Sequence, residues 1–329
     1  MKHTLFSALV FLSAIPLCAQ GPKPWSPPRT PDGHIDFQGT WNNSTITPLE
    51  RPAEFAGKLT LTEAEAAAYE KRRKEAGDMD RRDGGAEADL ARAYNESFYD
   101  RGSELVSVDG SKRTSLIVDP PDGRLPPLTP EARKRLEEER AEARRHPADR
   151  PENRSPQERC IFSGREGPPM LGAGYNNNYQ IVQTPAYVMV FVEEIHDPRV
   201  IPLDGRPHLP SNIRQWVGDS IGHWEGDALV VDTTNFTGKT RFRGTGENLH
   251  VIERFTRIGP ETILYRFTID DPSTFTRAWT GESTFRAVSD KIYEYACHEG
   301  NYAMIDMLRG ARLQEKAAEE AAKRDSKAP

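Results

Sequence analysis

The second half of the chain alternates short apolar runs with turn residues, a pattern typical of β-strands. Runs rich in valine, isoleucine and aromatic residues are separated by glycine, proline and aspartate, and the connections at 225–227 and 259–260 suit antiparallel hairpins. The predicted strands cover 179–184, 186–195, 200–203, 228–236, 249–258, 261–269, 276–288 and 292–297. About eight consecutive strands predict a mainly β protein, an antiparallel meander that closes into a β-barrel or forms a strongly curved sheet, since closure removes exposed edges.

The first half carries helix signals around one short hairpin. Thr62 and Glu65 form a capping box before an alanine-rich run that ends near residue 75. Thr129 followed by Pro130 is typical of a helix start, and this second helix is expected to reach about residue 145. A turn at Asp109-Gly110 predicts the hairpin between them. These helices are expected to lie at the periphery of the sheet.

The N-terminus has the layout of a secretory signal peptide. A basic start precedes the apolar run 5–17, which is too short to span a bilayer and is followed by Ala19. Cleavage after Ala19 predicts an exported protein, periplasmic or secreted. Cys18 raises the alternative of a lipid anchor, but the residues before it lack the small side chain that lipoprotein processing needs.

Composition changes along the chain predict its organisation. Five prolines fall within ten positions after residue 21, and such a stretch is typical of an extended arm laid over the surface. Segment 71–92 is almost entirely charged or small and is expected to be a solvated connection. The expected organisation is a signal peptide (1–19), a proline-rich extended arm (20–58), a helical and charged region with a hairpin (59–159), a barrel-like core (160–303) and a charged C-terminal helix and tail (304–329).

Charge and hydropathy exclude some classes of partner. The formal net charge of −6 comes without a basic stripe that could pair with a phosphate backbone, so nucleic acid binding is not expected. The mean hydropathy of −0.70 agrees with the lack of any later apolar run long enough for a transmembrane segment. The sequence requires no cofactor and does not indicate an oligomeric state.

Two cysteines remain after the predicted cleavage. Cys160 and Cys297 would tend to pair in an oxidising compartment, and the bridge would close a loop worth roughly 4–5 kcal/mol on the chain-entropy model. The alternative is a pair of separately buried thiols. Their separation gives no metal-ligand spacing.

Four segments resemble a family of secreted, functionally uncharacterised proteins of environmental bacteria. They are YQIVQTPAYVMVFVEEIHDPRVIPLDGRPHLP (179–210), WVGDSIGHWEGDALVVDTTNF (216–236), ENLHVIERFTRI (247–258) and YRFTIDDPSTFTRAWT (265–280). The resemblance covers most of the chain from about residue 31 and implies export. It brings no catalytic residue with it. The W-x-G-D-x-L hairpin at 224–229 also resembles the hairpins of lipocalin-like β-barrels, which is an analogy of architecture.

One group of residues predicts a ligand site in the mouth of the barrel. Asparagine and arginine side chains suit sugar hydroxyls or a small polar ligand, and tryptophans could form an apolar wall. The candidates are Asn176, Asn177, Asn178, Arg214, Trp216, Trp224 and Glu225. The alternative is that the asparagines form an ordered turn and the tryptophans belong to the core. Binding of a small organic molecule or glycan is the favoured function.

A second group predicts acid–base chemistry. His223 could pair with Asp219, and His196 could assist, because desolvation inside a small barrel moves a carboxylate pKa toward neutrality. The alternative is that Asp219 caps a turn. A further alternative is a metal held by His196, His208 and His223, although their spacings match no recognised ligand pattern. These residues leave open a periplasmic hydrolase or isomerase, with or without a metal, and an envelope-associated interaction protein.

Overall fold

The computed structural model describes residues 25–92, 95–195, 197–240 and 242–326. The predicted signal peptide and its cleavage after Ala19 lie outside the described residues. The strands are β1 Gly39–Asn42, β2 Thr60–Leu61, β3 Ser107–Val108, β4 Ser111–Arg113, β5 Ile117–Asp119, β6 Asn178–Gln183, β7 Tyr187–Val192, β8 Arg199–Pro202, β9 Asp219–Glu225, β10 Ala228–Thr234, β11 His250–Gly259, β12 Thr262–Asp270 and β13 Trp279–Val288. The α-helices are α1 Glu63–Gly77, α2 Gly85–Ala91, α3 Pro130–Arg145 and α4 Tyr302–Asp325.

Ten strands form one antiparallel sheet, which confirms the mainly β prediction with more strands than expected. The order is β8-β7-β6-β1-β13-β12-β11-β10-β9, and β5 pairs with β13 outside this path. A second, three-stranded sheet has the order β2-β4-β3. The meander from β9 to β13 is continuous. The short hairpins predicted near residues 226 and 260 join β9 to β10 and β11 to β12, whereas longer segments, 235–249 and 271–278, join the other two pairs.

The sheet curves until its edges meet through side chains. Backbone hydrogen bonds do not join β8 to β9 in the described part of the chain. Of the two predicted architectures, the structure therefore has the curved sheet and not a barrel closed by hydrogen bonds. Arg199 on β8 nevertheless donates from Nη2 to Ser220 Oγ on β9 at 3.2 Å. A Cβ on Gly222 of β9 would lie only 2.9 Å from Ile201 Cγ2 of β8. Side-chain contact therefore covers the two edges that hydrogen bonding leaves open.

The segment expected as a surface arm supplies a central strand. β1 lies between β6 and β13, with Trp41 opposite Tyr179 on one side and Ala287 on the other. Trp41 is buried, and its Nε1 donates to Phe37 O at 2.9 Å. The cluster of five prolines ends at residue 31, eight residues before the strand begins. The extended arm predicted for 20–58 is thus partly core, because β1 pairs with strands far away in sequence.

Aromatic side chains fill the concave side of the sheet. Along β12, Ile263, Tyr265, Phe267 and Ile269 are all fully buried, alternating with more exposed neighbours as a one-sided strand requires. Gly281 on β13 makes room for this row, since a Cβ there would lie 2.3 Å from Phe267 Cζ. Burying side chains of this size contributes roughly 1.5–3 kcal/mol each. The interior of the curved sheet is therefore a packed core.

Local signals located α1 and α3 correctly, whereas α2 lies in the segment 71–92, which was expected to be a solvated connection. The capping box of α1 is present, with Glu65 N donating to Thr62 Oγ1 at 3.3 Å and Thr62 N to Glu65 Oε2 at 3.1 Å. Thr129 caps α3, accepting from Ala132 N at 3.1 Å. The turn between β3 and β4 places Asp109 at φ 50° and Gly110 at φ 72°, as a two-residue hairpin requires.

Two further features complete the fold. Cys160 and Cys297 form a disulfide with a Cα–Cα distance of 5.7 Å, which confirms the predicted bridge. Residues 292–297, predicted as a strand, have no regular secondary structure, whereas β9 was not among the predicted strands. Among the helices of the described residues, none has both the length and the apolarity that a bilayer crossing needs.

Candidate functional site

One cleft lies on the convex side of the sheet and has a volume of about 620 Å³. We call it the outer-face cleft. Its lining residues are Asn42, Ser97, Phe98, Tyr99, Asp100, Tyr175, Asn176, Asn178, Glu193, Glu261, Thr262, Arg286, Ala287, Val288 and Asp290. Trp41, Tyr179 and Phe285 point into the core, so their strand neighbours point outward and form the floor of this cleft.

A row of polar side chains forms that floor. Asn42 Nδ2 donates to Asn178 Oδ1 at 2.9 Å and to Asp100 Oδ2 at 2.6 Å. At the other end of the row, Asn178 N donates to Glu193 Oε2 at 3.3 Å. The register places Asn42 opposite both Asn178 and Arg286, so polar side chains of the three strands β6, β1 and β13 share one surface. These hydrogen bonds hold the donors and acceptors in fixed positions.

The cleft is acidic, and one of its carboxyls is perturbed. Burial raises the pKa of Glu193, and the nearby charges of Asp100 and Asp290 raise it further, against the opposing hydrogen bond from Asn178. The single arginine of the lining, Arg286, donates to Glu104 Oε2 at 2.9 Å. Glu193 is therefore the carboxyl of this cleft whose surroundings favour its protonated form.

Aromatic rings stand beside the polar floor. Phe98 and Tyr175 are exposed at 58% and 37%, and Tyr99 lies under the guanidinium of Arg101 at 3.6 Å. Tyr175 is held by Arg165, whose guanidinium lies 5.1 Å from the ring centroid. Exposed rings next to convergent polar groups are the usual composition of a small-ligand pocket.

The three predicted asparagines have different roles. Asn176 and Asn178 line the outer-face cleft, whereas Asn177 is fully buried. Asn177 Oδ1 accepts from Ala173 N at 2.7 Å, and its Nδ2 donates to Ala173 O at 3.0 Å, so it supports the loop. Asn176 adopts φ 56°, the left-handed turn conformation that asparagine tolerates. Its amide makes no hydrogen bond to any described residue.

Arg214 and Trp216 lie in a separate cleft of about 290 Å³. Arg214 donates to Phe236 O at 3.1 Å and to Glu247 O at 2.9 Å, so its guanidinium is engaged by the backbone. Trp216 stacks on Phe162 with ring centroids 6.1 Å apart. These two residues do not meet the asparagines, and the predicted ligand site is divided between two clefts.

The β9–β10 hairpin places Trp224, His223 and Glu225 away from both clefts. Trp224 stacks on His34 with ring centroids 4.5 Å apart and packs against the core. His223 points to the opposite face, where its Nε2 lies 3.2 Å from Glu225 Oε1, and Glu225 in turn accepts from Arg254 Nη1 at 2.5 Å. Alternation along the strand therefore separates Trp224 from the two polar residues beside it.

Asp219 pairs with His208 instead of His223. His208 Nδ1 lies 2.9 Å from Asp219 Oδ2, and its Nε2 lies 3.0 Å from Asp232 Oδ1. His250 Nε2 lies 3.0 Å from the same oxygen of Asp232. This His–Asp row crosses the outer face of β9, β10 and β11 and fastens the loop after β8 to the sheet. The remaining candidate, His196, lies outside the described residues.

Metal-ligand geometry is not found in the parts of the chain that the structure describes. No group of three or more histidine, cysteine, aspartate or glutamate side chains there could hold a metal ion. The His–Asp row consists of pairs in which nitrogens and carboxylate oxygens satisfy one another. Its chemistry is that of charge-assisted hydrogen bonds.

Sequence reasoning did not identify Asn42, Asp100 and Glu193. Asn42 and Asp100 belong to segments predicted as an arm and a charged region, and no local pattern marks them. The position of Glu193 offers a weak indication of a functional role, since this carboxyl directly follows the apolar run of β7.

Comparisons with known proteins add little to this geometry. No family model matches the chain, and no curated protein matches it. Among solved structures, a mutant of the fluorescent protein UnaG is similar with a TM-score of 0.23 and 14% identity, over 34% of this chain and 72% of that one. The resemblance to a secreted bacterial family stays a prediction.

Proposed function

We propose that the protein binds a small neutral polar molecule of the glycan class in the outer-face cleft. The observation that carries the proposal is the row Asp100, Asn42, Asn178 and Glu193, fixed by mutual hydrogen bonds beneath exposed rings. Carboxylates and amides together offer both acceptors and donors to hydroxyl groups. The rings offer the apolar faces that the carbon–hydrogen sides of a sugar need.

The proposal moves the ligand from the barrel mouth to the outer face. Tyr265, Phe267 and their neighbours occupy the concave side, so a ligand there would have to displace core aromatics. The outer-face cleft has a volume within the usual range for small-molecule sites, roughly 300–1,000 Å³.

We place this activity outside the cytoplasm, in the periplasm or the medium. The support is the disulfide between Cys160 and Cys297, since such bridges persist in oxidising compartments. The signal peptide predicted from the N-terminal sequence points the same way.

Calorimetric titration with neutral oligosaccharides of several linkage types tests the proposal. Asn176→Gly removes an unbonded amide from the cleft and keeps a backbone that φ 56° favours. We expect this variant to weaken binding about tenfold, the effect of one lost hydrogen bond of about 1.4 kcal/mol. Asn248→Gly is the matched control, an exposed asparagine outside the cleft, and it should bind like the parent.

Two results would contradict the proposal. One is that no neutral oligosaccharide binds to the folded protein. The other is that Asn176→Gly and Asn248→Gly change the dissociation constant by the same factor, because the cleft would then not be the site.

Glycoside hydrolysis is the second candidate, and the raised pKa of Glu193 favours it. A glycosidase needs one protonated acid and one ionised carboxylate near the scissile bond. Glu193 would be the acid and Asp100 the carboxylate. Aryl glycosides provide the assay: Glu193→Gln should abolish turnover while retaining binding, whereas a binding protein should release no phenol before or after the change.

A further inference from the structure

A third cleft, of about 400 Å³, lies between the segment around Phe162 and the loop after β10. We call it the cationic cleft. Its apolar walls include Phe162, Phe242 and Pro168, and Lys239 and Arg243 stand at its edge. It shares no lining residue with the outer-face cleft.

Each aromatic wall of the cleft packs against the indole ring of a tryptophan. Phe242 stacks on Trp279 and Phe162 on Trp216, each with ring centroids 6.1 Å apart. Trp279 belongs to the buried core, so the Phe242 wall is anchored. A cavity with walls already in place does not require side-chain ordering when a ligand enters.

The backbone around the cleft is also fixed. The buried Glu166 carboxylate accepts from Ser163 N at 3.0 Å and Gly164 N at 3.0 Å, which closes that loop. Thr240 Oγ1 donates to Trp216 O at 2.6 Å and so fastens the residue after Lys239. These contacts use Glu166 as a structural acceptor beneath the loop.

The charged side chains that line the described part of the cleft are both positive. Among the described residues that line the cleft, Lys239 and Arg243 are the only ionisable ones, and neither forms an ion pair or a side-chain hydrogen bond with another described residue. The net charge of the chain is −6, yet no carboxylate is among the described lining residues of this cleft. Arg243 also adopts φ 53° and ψ 29°, an uncommon conformation for a non-glycine residue.

The strained position of Arg243 is maintained by its neighbour. Arg135 Nη2 donates to Gly244 O at 3.0 Å, and a Cβ on Gly244 would lie 2.8 Å from Leu136 Cδ1. The contact with α3 thus holds the turn that orients Arg243. A strained residue kept in place by its surroundings is a common feature of ligand sites.

We infer that the cationic cleft binds a small organic anion with a flat apolar body, such as an aromatic carboxylate. The rings of Phe162 and Phe242 would contact the body, and Lys239 and Arg243 would pair with the carboxylate. The inference is independent of the proposed glycan site, since the two clefts have different residues and opposite charge.

Titration with matched probes tests the inference. 1-Naphthoate, 1-naphthamide and 1-naphthylmethylammonium share one ring system and differ in charge. Tryptophan fluorescence reports binding because Trp216 supports the wall. We expect 1-naphthoate to bind at least about tenfold more tightly than the neutral amide, and the ammonium probe to bind weakest.

Charge-removing variants assign the site. Lys239→Ala combined with Arg243→Ala should weaken 1-naphthoate about tenfold or more and leave 1-naphthamide unchanged. Lys134→Ala combined with Arg140→Ala removes the same charge from the exposed surface of α3 and should leave both probes unchanged. The inference is overturned if 1-naphthoate does not bind, if the three probes bind equally, or if the two double variants behave alike.

Discussion

Arg199 and Glu253 form a two-pronged ion pair within the curved sheet. Arg199 Nη1 donates to Glu253 Oε1 at 3.1 Å and Nη2 to Oε2 at 2.6 Å, and both side chains are almost completely buried. Tyr265 O–H donates to Glu253 Oε1 at 2.8 Å and accepts from Met170 N at 2.9 Å. The network joins β8 to β11 across the concave side of the sheet, where backbone pairing between the edge strands is missing.

Breaking this pair should be costly. Arg199→Met leaves the Glu253 carboxylate buried without its partner, and we expect a loss of about 3–5 kcal/mol in the free energy of unfolding. Arg277→Met is the control, because Arg277 also pairs with both oxygens of one carboxylate, but at the surface: its Nη2 donates to Asp119 Oδ1 and Oδ2, each at 2.8 Å. That exposed pair should be worth at most about 1 kcal/mol. Urea unfolding measures both, and equal losses would contradict the structural role of the buried pair.

Packing against Gly281 gives a second prediction. Gly281→Ala would place a methyl group 2.3 Å from Phe267 Cζ within the core, so the variant should lose about 1–3 kcal/mol through overpacking. Gly310→Ala places the same methyl group in open space on α4 and should gain about 0.5–1 kcal/mol from helix propensity. Thermal unfolding of the two variants should therefore shift in opposite directions. A neutral Gly281→Ala would show that the Phe267 ring can move aside.

The His–Asp row predicts that the free energy of unfolding decreases at both high and low pH. The hydrogen bond to Asp232 raises the pKa of His250 above its usual 6.5, burial opposes this, and the charges of Asp232 and Asp270 add to it. The resulting stabilisation is complete below pH 6.5 and is lost as the pH rises through the raised pKa. Burial acts to raise the pKa of Asp232, but the hydrogen bonds and charges of His250 and His208 outweigh it and lower this pKa below its usual 3.8. That stabilisation is present above pH 3.8 and is lost as the pH falls through the lowered pKa.

Urea unfolding from pH 3 to pH 9 checks this dependence. His250→Gln should remove the alkaline loss, so its stability difference from the parent should shrink as the pH rises through the raised pKa of His250. His223→Gln is the control, because His223 is exposed and its partner Glu225 is also paired with Arg254. A pH-independent difference between His250→Gln and the parent would contradict the assignment.

Local chemistry determined what the sequence could predict. The capping pair Thr62 and Glu65, and the Thr129–Pro130 start, located α1 and α3 because a helix end is decided within four residues. The two cysteines left after the predicted cleavage had one possible intramolecular pairing. The alternation and short turns of the second half predicted the antiparallel meander, since consecutive strands joined by hairpins are neighbours.

The tertiary structure alone decided the position of β1 and of the candidate site. A strand as short as Gly39–Asn42 carries too little periodicity to be recognised, and its partners lie more than a hundred residues away. Asn176 and Asn177 are adjacent and chemically identical, yet one faces the outer-face cleft and the other supports a buried loop. By itself the sequence determined the residue types and the local elements. Which polar side chains converge depends on long-range strand register, because a shift of one residue moves every side chain to the opposite face.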